Sequence, residues 1–94
     1  MDINEFKESL SQRNIPSSLT PLLRALWFDG AGQWEKAHQI AQEINTRDGS
    51  ALHAYLHRKE GDLLNAEYWY RRAGRKMPSI TIEKEWEELI REFL

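Results

Sequence analysis

Apolar residues recur every three or four positions along almost the whole chain, which is the spacing of one face of an α-helix. Proline, glycine and short polar segments interrupt this pattern, so that six helices are predicted. No segment alternates apolar and polar residues over the length of a strand. The chain is therefore predicted to be all-α, with helices at about residues 2–13, 21–29, 33–45, 51–60, 63–73 and 80–94.

Residues with known preferences for helix ends mark several of these boundaries. Thr20 is followed by proline, a combination that favours a helix start. Asp62 follows a glycine and is predicted to cap the fifth helix. The polar segment 46–49 predicts a turn, with Asp48 or Ser50 as the N-cap of the fourth helix.

A shift of the chain against itself by 29 residues uncovers an internal repeat. Gly32 falls on Gly61, so a predicted turn repeats, and Ala37 falls on Ala66, where small side chains let two helices approach closely. Stacked helical hairpins of this kind form an α-solenoid. We predict one domain, 1–94, with hairpin repeats at about 21–49 and 50–78 and a capping helix on each side, at about 2–13 and 80–94.

The second copy resembles the tetratricopeptide repeat (TPR) family. That family places small residues on both helices, a glycine at the turn, an aromatic residue on the second helix and a proline after it. The residues in those places are Ala54, Gly61, Ala66, Tyr70, Ala73 and Pro78. His53 and His57 occupy two places where the family has apolar anchors. The segment 53–74 also resembles short bacterial proteins without an established activity.

The first copy matches the TPR pattern at fewer positions. Gly32, Ala37 and Ile44 agree with it, whereas Ala41 replaces the aromatic residue and Gly49 the proline. The resemblance implies a TPR-like α-solenoid fragment of two helix-turn-helix hairpins, flanked by an N-terminal and a C-terminal helix. It also implies a non-enzymatic interaction module, because such arrays bind peptide segments on the concave face that their first helices line.

The groove positions implied by the resemblance combine apolar and charged side chains. They are Leu22, Leu26 and Asp29 in the first copy and Tyr55, Arg58 and Lys59 in the second. Such a groove favours a peptide with an apolar anchor and acidic flanks. The predicted partner is a protein or peptide. A second copy of the chain is the alternative, since the acidic last helix could occupy its neighbour's groove.

Charge is unevenly distributed along the chain. The chain has 13 basic and 15 acidic residues and a net charge of −2, which argues against nonspecific binding of nucleic acid. Residues 51–78 hold six basic and three acidic groups, whereas residues 79–94 hold two basic and five acidic groups. This asymmetry either serves a partner or draws the two segments together.

Cysteine is absent, which excludes a disulfide framework and a cysteine-ligated zinc site. The first residues, MDINEFKESL, have neither the basic nor the apolar region of a signal peptide. No apolar run approaches the roughly 18 residues that a membrane-spanning helix requires. A cytoplasmic location without membrane association is the expectation.

Two histidines form a candidate metal site. His53 and His57 are four residues apart, so both lie on one face of the fourth helix and can hold one metal ion. Glu60 follows one turn later and is a candidate third ligand. The alternative is that both imidazoles pack at the hairpin interface and form local hydrogen bonds.

No arrangement of residues predicts catalysis. The chain shows no nucleophile beside a base, no phosphate-binding loop and no carboxylate pair with a defined geometry. We therefore predict no catalytic residue, no enzyme activity and no cofactor. Metal or small-ligand binding at His53 and His57 is the alternative to peptide binding.

Overall fold

Six α-helices and no strands make up the structure, a computed structural model that describes all of residues 1–94. The all-α prediction is therefore confirmed. The helices are α1 (Ile3–Ser11), α2 (Pro21–Gly30), α3 (Trp34–Gln42), α4 (Arg47–Lys59), α5 (Leu63–Arg72) and α6 (Ile82–Phe93).

Two helical hairpins form the centre of the fold, α2 with α3 and α4 with α5, and packing of α3 against α4 joins them. Gly32 and Gly61, which match in the repeat, have φ angles of 80° and 88° in the two turns. Glycine is favoured there because it has no Cβ atom to clash. The Thr20 and Asp62 side chains cap α2 and α5, as the sequence predicts.

The start of α4 differs from the prediction. Thr46, and not Asp48 or Ser50, is the N-cap, and its hydroxyl oxygen accepts a hydrogen bond from the Gly49 N–H at 3.0 Å. Gly49 lies inside the helix, and the position requires glycine because a Cβ atom there would lie 2.1 Å from the Ile44 carbonyl oxygen. The segment predicted to be a turn is therefore the first turn of α4, and the predicted boundary between the repeats falls inside this helix.

The C-terminal helix α6 lies across both hairpins, in contact with α2 and α4, and it also contacts α1. The Trp86 indole N–H donates to the Leu26 carbonyl oxygen at 3.0 Å. A Cβ atom on Gly30 would lie 2.8 Å from the Trp86 ring, so the absence of a side chain lets α6 approach α2 closely. The two terminal helices thus contact each other instead of capping the hairpin pair from two separate sides.

The main core contains apolar residues from every helix except α5. A smaller cluster between α4 and α5 contains Ala54, Ala66 and Tyr70. Ala37 and Ala66, which the sequence predicts at close helix crossings, have no exposed surface. None of the six helices combines the length and the apolar character that crossing a lipid bilayer requires.

Candidate metal centre and covered groove

The predicted groove residues lie on α2 and α4, and α6 packs across part of this surface, which we call the covered groove. The six residues are Leu22, Leu26, Asp29, Tyr55, Arg58 and Lys59. Leu26, Asp29 and Tyr55 are at most 2% exposed. The other three are partly accessible, and Lys59 is the most exposed, with 38% of its side chain accessible. A peptide could use this surface only if α6 moved away.

The Asp29 carboxylate is the polar centre of the covered groove on the side of α2. It accepts hydrogen bonds from the Tyr55 hydroxyl at 2.5 Å and from the Lys59 ammonium group at 2.8 Å. Burial, together with the neighbouring carboxylate, raises the pKa of Tyr55 far above its ordinary value. Tyr55 therefore stays protonated and remains a hydrogen-bond donor.

Glu85 forms the matching centre on α6. Its carboxylate accepts hydrogen bonds from the Arg58 guanidinium group at 2.8 Å and from the Tyr70 hydroxyl at 2.6 Å. Arg58 also donates to the Ile80 carbonyl oxygen just before α6. Burial and the hydrogen bond to Glu85 raise the pKa of Tyr70. Arg58 and Tyr70 thus fix one carboxylate of the acidic helix.

Ion pairs join the basic and the acidic segments of the chain. Besides Arg58 with Glu85, Arg75 pairs with Glu92 on α6 and with Asp48 at 3.6 Å. The attraction between segments 51–78 and 79–94 that the sequence suggests is therefore present within the molecule. Arg58 and Arg75 are consequently not free to form a basic surface.

All three histidines of the chain meet at one place, which we call the histidine cluster: His38 on α3, and His53 and His57 on α4. One nitrogen atom from each imidazole lies within 4.8 Å of the others. His38 Nε2 and His53 Nε2 are 2.9 Å apart, so one of the two rings donates its proton to the other. His53 and His57 are buried, whereas His38 is half-buried.

Two tryptophans hold the rings of the histidine cluster. Trp34 stacks on His38 with 4.9 Å between ring centres and 8° between ring planes. Trp69 stacks on His53 at 4.0 Å and 16°. The Trp34 indole N–H donates to the Leu56 carbonyl oxygen at 2.9 Å, which anchors this wall to α4. The imidazole planes are thus restrained by aromatic neighbours.

Glu60, the predicted third ligand, lies beside His57 and outside the group of three converging imidazoles. His57 Nδ1 is 2.7 Å from a Glu60 carboxylate oxygen. This contact places the ring proton on Nδ1 and leaves Nε2 as an acceptor, 3.4 Å from the Asn65 side-chain nitrogen. His38 supplies the third imidazole, so Glu60 has the position of a group that orients a ligand.

Burial and proximity keep two of these imidazoles neutral. Burial, followed by repulsion from His38 and His57, lowers the pKa of His53 to about 4. Burial and repulsion from His57 also lower the pKa of His38, while the carboxylates of Glu35 and Glu60 oppose that shift. These two carboxylates only partly offset the lowering, so His38 is a neutral imidazole with a lone pair available at neutral pH.

The spacing in the sequence identifies His53 and His57 as candidate ligands, but it does not identify His38. His38 is 15 residues before His53 on another helix, and the 29-residue repeat aligns it with Glu67, so no local spacing identifies it. The available signal is its position next to Ala37, which is predicted to lie at a close helix crossing. A residue adjacent to such a crossing is near the neighbouring hairpin.

Comparison of the chain with protein-family models, with curated proteins and with solved structures finds no match. The TPR-like resemblance therefore stays a prediction, and so does the cytoplasmic location.

Proposed function

We propose that this protein binds one divalent transition-metal ion at the histidine cluster, with His38, His53 and His57 as its three protein ligands. The observation that supports this most strongly is the convergence of every histidine in the chain, from two helices, onto one position. Imidazole nitrogen is a common ligand for zinc, copper and nickel. The proposed function is binding, with no reaction assigned to the site.

The spacing of the nitrogen atoms is close to that of a tetrahedral site. With metal–nitrogen bonds of about 2.0–2.1 Å, two ligands of a tetrahedral ion are about 3.4 Å apart. His38 Nε2 and His53 Nε2 are 2.9 Å apart. A metal ion would replace their shared proton and separate the two rings slightly. The third nitrogen lies within 4.8 Å, a distance that a small rotation of the imidazoles would shorten enough.

The surroundings of the cluster supply what a metal site needs beyond its ligands. A carboxylate on the second nitrogen of a ligating histidine fixes the ring and increases its basicity, and Glu60 has this position on His57. Three protein ligands leave a fourth position for water or another small ligand. The half-buried His38 marks the side from which an ion could enter.

Titration of chelator-treated protein with Co²⁺ tests the proposal, because cobalt bound in a tetrahedral site has a characteristic visible absorption. We expect one equivalent to bind, zinc to displace it, and either ion to raise the melting temperature, since a ligand that binds only the folded state stabilises it. His38→Gln should abolish tight binding. Gln39→Ala, an exposed change on the same helix, should leave it intact. Absence of binding in the wild-type protein, or equal binding by His38→Gln, would refute the three-histidine site.

A second candidate function has its own observation. We propose that the TPR-like hairpin pair can act as an interaction module for an acidic amphipathic helix. Support comes from α6, which meets the predicted groove residues through the Trp86 indole and the Glu85 carboxylate. This is the ligand type that the groove composition favours: an apolar anchor with an acidic neighbour. The α6 helix of a second copy is the partner of matching chemistry.

A labelled peptide of residues 80–94 tests this second function. If α6 exchanges, the peptide should bind to the whole protein, and the same peptide with Glu85→Gln should bind more weakly because it cannot form the ion pair with Arg58. Light scattering over a range of concentrations should show dimers in parallel. A monomer at every concentration that takes up no peptide would rule out exchange of α6.

A further inference from the structure

A cavity of about 360 Å³ lies beside the histidine cluster, between the end of α3, the first turns of α4 and the side of α5. His53 forms part of its wall, together with the Trp69 ring that stacks on His53. The cavity is large enough for a small organic molecule.

The lining of this cavity is basic and rich in hydrogen-bond donors. Eleven residues line it and none is acidic, although 15 of the 94 residues of the chain are Asp or Glu. Arg47 and Arg72 both line it, and neither forms an ion pair with a carboxylate of the chain. Arg72 lies over the Trp69 ring at 5.3 Å and donates to the Tyr68 hydroxyl at 3.1 Å, so its guanidinium group is held in place.

A serine hydroxyl also faces the cavity. Ser50 lines the cavity, and its hydroxyl oxygen forms no hydrogen bond within the protein but is accessible from the cavity. Arg47, Ser50 and His53 are spaced three residues apart on α4, so they lie along one side of its first two turns. The positive end of the helix dipole adds to the field at this place. An accessible hydroxyl beside two guanidinium groups that form no ion pair can donate a hydrogen bond to an anion.

We propose that this cavity binds the anionic group of a small carboxylate or phosphate compound, through the Arg47 and Arg72 guanidinium groups and the Ser50 hydroxyl. The remainder of the molecule extends towards His53. This part of the inference rests on the proposed function, because the rest of the bound molecule would meet a metal ion at the histidine cluster. The contacts to the anionic group do not depend on the metal.

Titration of chelator-treated protein with inorganic phosphate, and in a separate arm with succinate, tests the pocket at constant ionic strength. We expect saturable binding of at least one anion, observed as shifts of the backbone amide resonances of residues 46–50. Arg72→Gln should weaken binding by about tenfold or more, because it removes a charge-assisted hydrogen bond. Ser50→Ala should weaken it less. Arg71→Gln, a neighbouring exposed arginine outside the cavity, is the matched control and should leave the affinity unchanged.

The outcomes separate the pocket from the metal site. Equal effects of Arg71→Gln and Arg72→Gln, or no saturable binding of either anion, would overturn the pocket. The same samples are then titrated with Co²⁺. Anion binding without cobalt binding would support the pocket and overturn the metal function. Cobalt binding without anion binding would support the metal function and overturn the pocket. The anion that binds more tightly identifies whether the natural ligand carries a phosphate or a carboxylate.

Discussion

The covered groove and the histidine cluster both contain buried polar groups, but the hydrogen-bond partners of these groups differ between the two regions. In the groove, Asp29 and Glu85 each accept hydrogen bonds from one cation and one tyrosine hydroxyl. In the histidine cluster, three groups of the same kind face one another. The Glu60 carboxylate accepts from His57 Nδ1 at the edge of the cluster, and His38 and His53 share one proton.

This difference points to separate roles for the two regions. A buried carboxylate that accepts hydrogen bonds from a cation and a hydroxyl is satisfied. The Asp29 contacts therefore join α2 to α4, and the Glu85 contacts hold α6 in place. His38 and His53 share one proton, and His57 keeps an Nε2 lone pair because its proton lies on Nδ1, so the three imidazoles have lone pairs that a metal ion could use. One helix, α4, contributes to both regions, with Tyr55 and Arg58 in the groove and His53 and His57 in the cluster.

Removal of the Glu85 carboxylate is expected to lower the stability of the fold more than any other change considered. Glu85→Ala leaves the mostly buried Arg58 without its carboxylate and the Tyr70 hydroxyl without its acceptor. Loss of one partner of a buried ion pair typically costs about 3–5 kcal/mol of stability. The free energy of unfolding in urea should therefore fall by about 3 kcal/mol, with the lower end expected because Arg58 keeps its bond to the Ile80 carbonyl oxygen.

Glu88→Ala is the control for that change, because Glu88 is exposed on the same helix and its loss should alter stability by less than about 0.5 kcal/mol. Metal affinity should be similar in both variants if the two regions are independent. A small effect of Glu85→Ala on unfolding would show that the Glu85 contacts are not what holds α6.

Acid should destabilise the metal-free protein through His53. The folded-state pKa of His53 is about 4, whereas the unfolded value is near 6.5. Between these values the unfolded chain binds a proton that the folded protein does not, so stability falls as the pH is lowered from about 6.5 to 4. A shift of this size corresponds to roughly 3 kcal/mol once the pH is below both values.

Urea unfolding at several pH values measures this effect, with His53→Gln as the comparison, because carboxylates titrate near the lower end of the same range. The difference in stability between the wild-type protein and the variant should shrink as the pH falls. The titratable groups that face His53 are His38 and His57, and both are retained in the variant. A constant difference would mean that His53 is accessible to protons in the folded state.

Glu60→Gln should act on metal binding more than on folding. The carboxylate orients His57 through Nδ1, and loss of such an interaction typically lowers metal affinity by about 10–100-fold. Competition with a coloured chelator measures the change. The visible spectrum of the cobalt complex should keep its form, since the ligand set is the same. Glu43→Gln, an exposed change near the end of α3, is the control. A changed spectrum would make Glu60 itself a ligand.

Local patterns in the sequence predict the helices well. Thr20 and Asp62 mark helix starts through side chains that cap the next turn, and both predictions hold. The start of α4 is missed because Gly49 looks like a turn residue. Its true role is a close contact with Ile44, and contacts of that kind depend on the tertiary fold. The charge asymmetry indicates an attraction between two segments but not which residues pair.

Only the residues of the candidate site that lie on one helix can be predicted from the sequence. His53 and His57 share a face through their spacing, whereas His38 joins them through the packing of α3 against α4. The predicted groove residues lie on α2 and α4, and their sequence does not show that α6 of the same chain packs across part of them. Both gaps concern contacts between separate elements.

Thr46→Ala should give the smallest of these effects, and it tests the helix shared by both regions. Its side chain caps α4 through the Gly49 N–H, and loss of such a cap typically costs about 1 kcal/mol. Asp48→Ala, at the position that the sequence predicts as a cap, removes only an exposed contact with Arg75 and should cost less than about 0.5 kcal/mol. Urea unfolding of the two variants decides between the two helix starts.

Neither change touches the three histidines or the carboxylates of the groove, so metal affinity should follow the folded fraction alone. If Asp48→Ala were the more damaging variant, α4 would begin where the sequence pattern predicts, and the line of Arg47, Ser50 and His53 along its first turns would have to be abandoned.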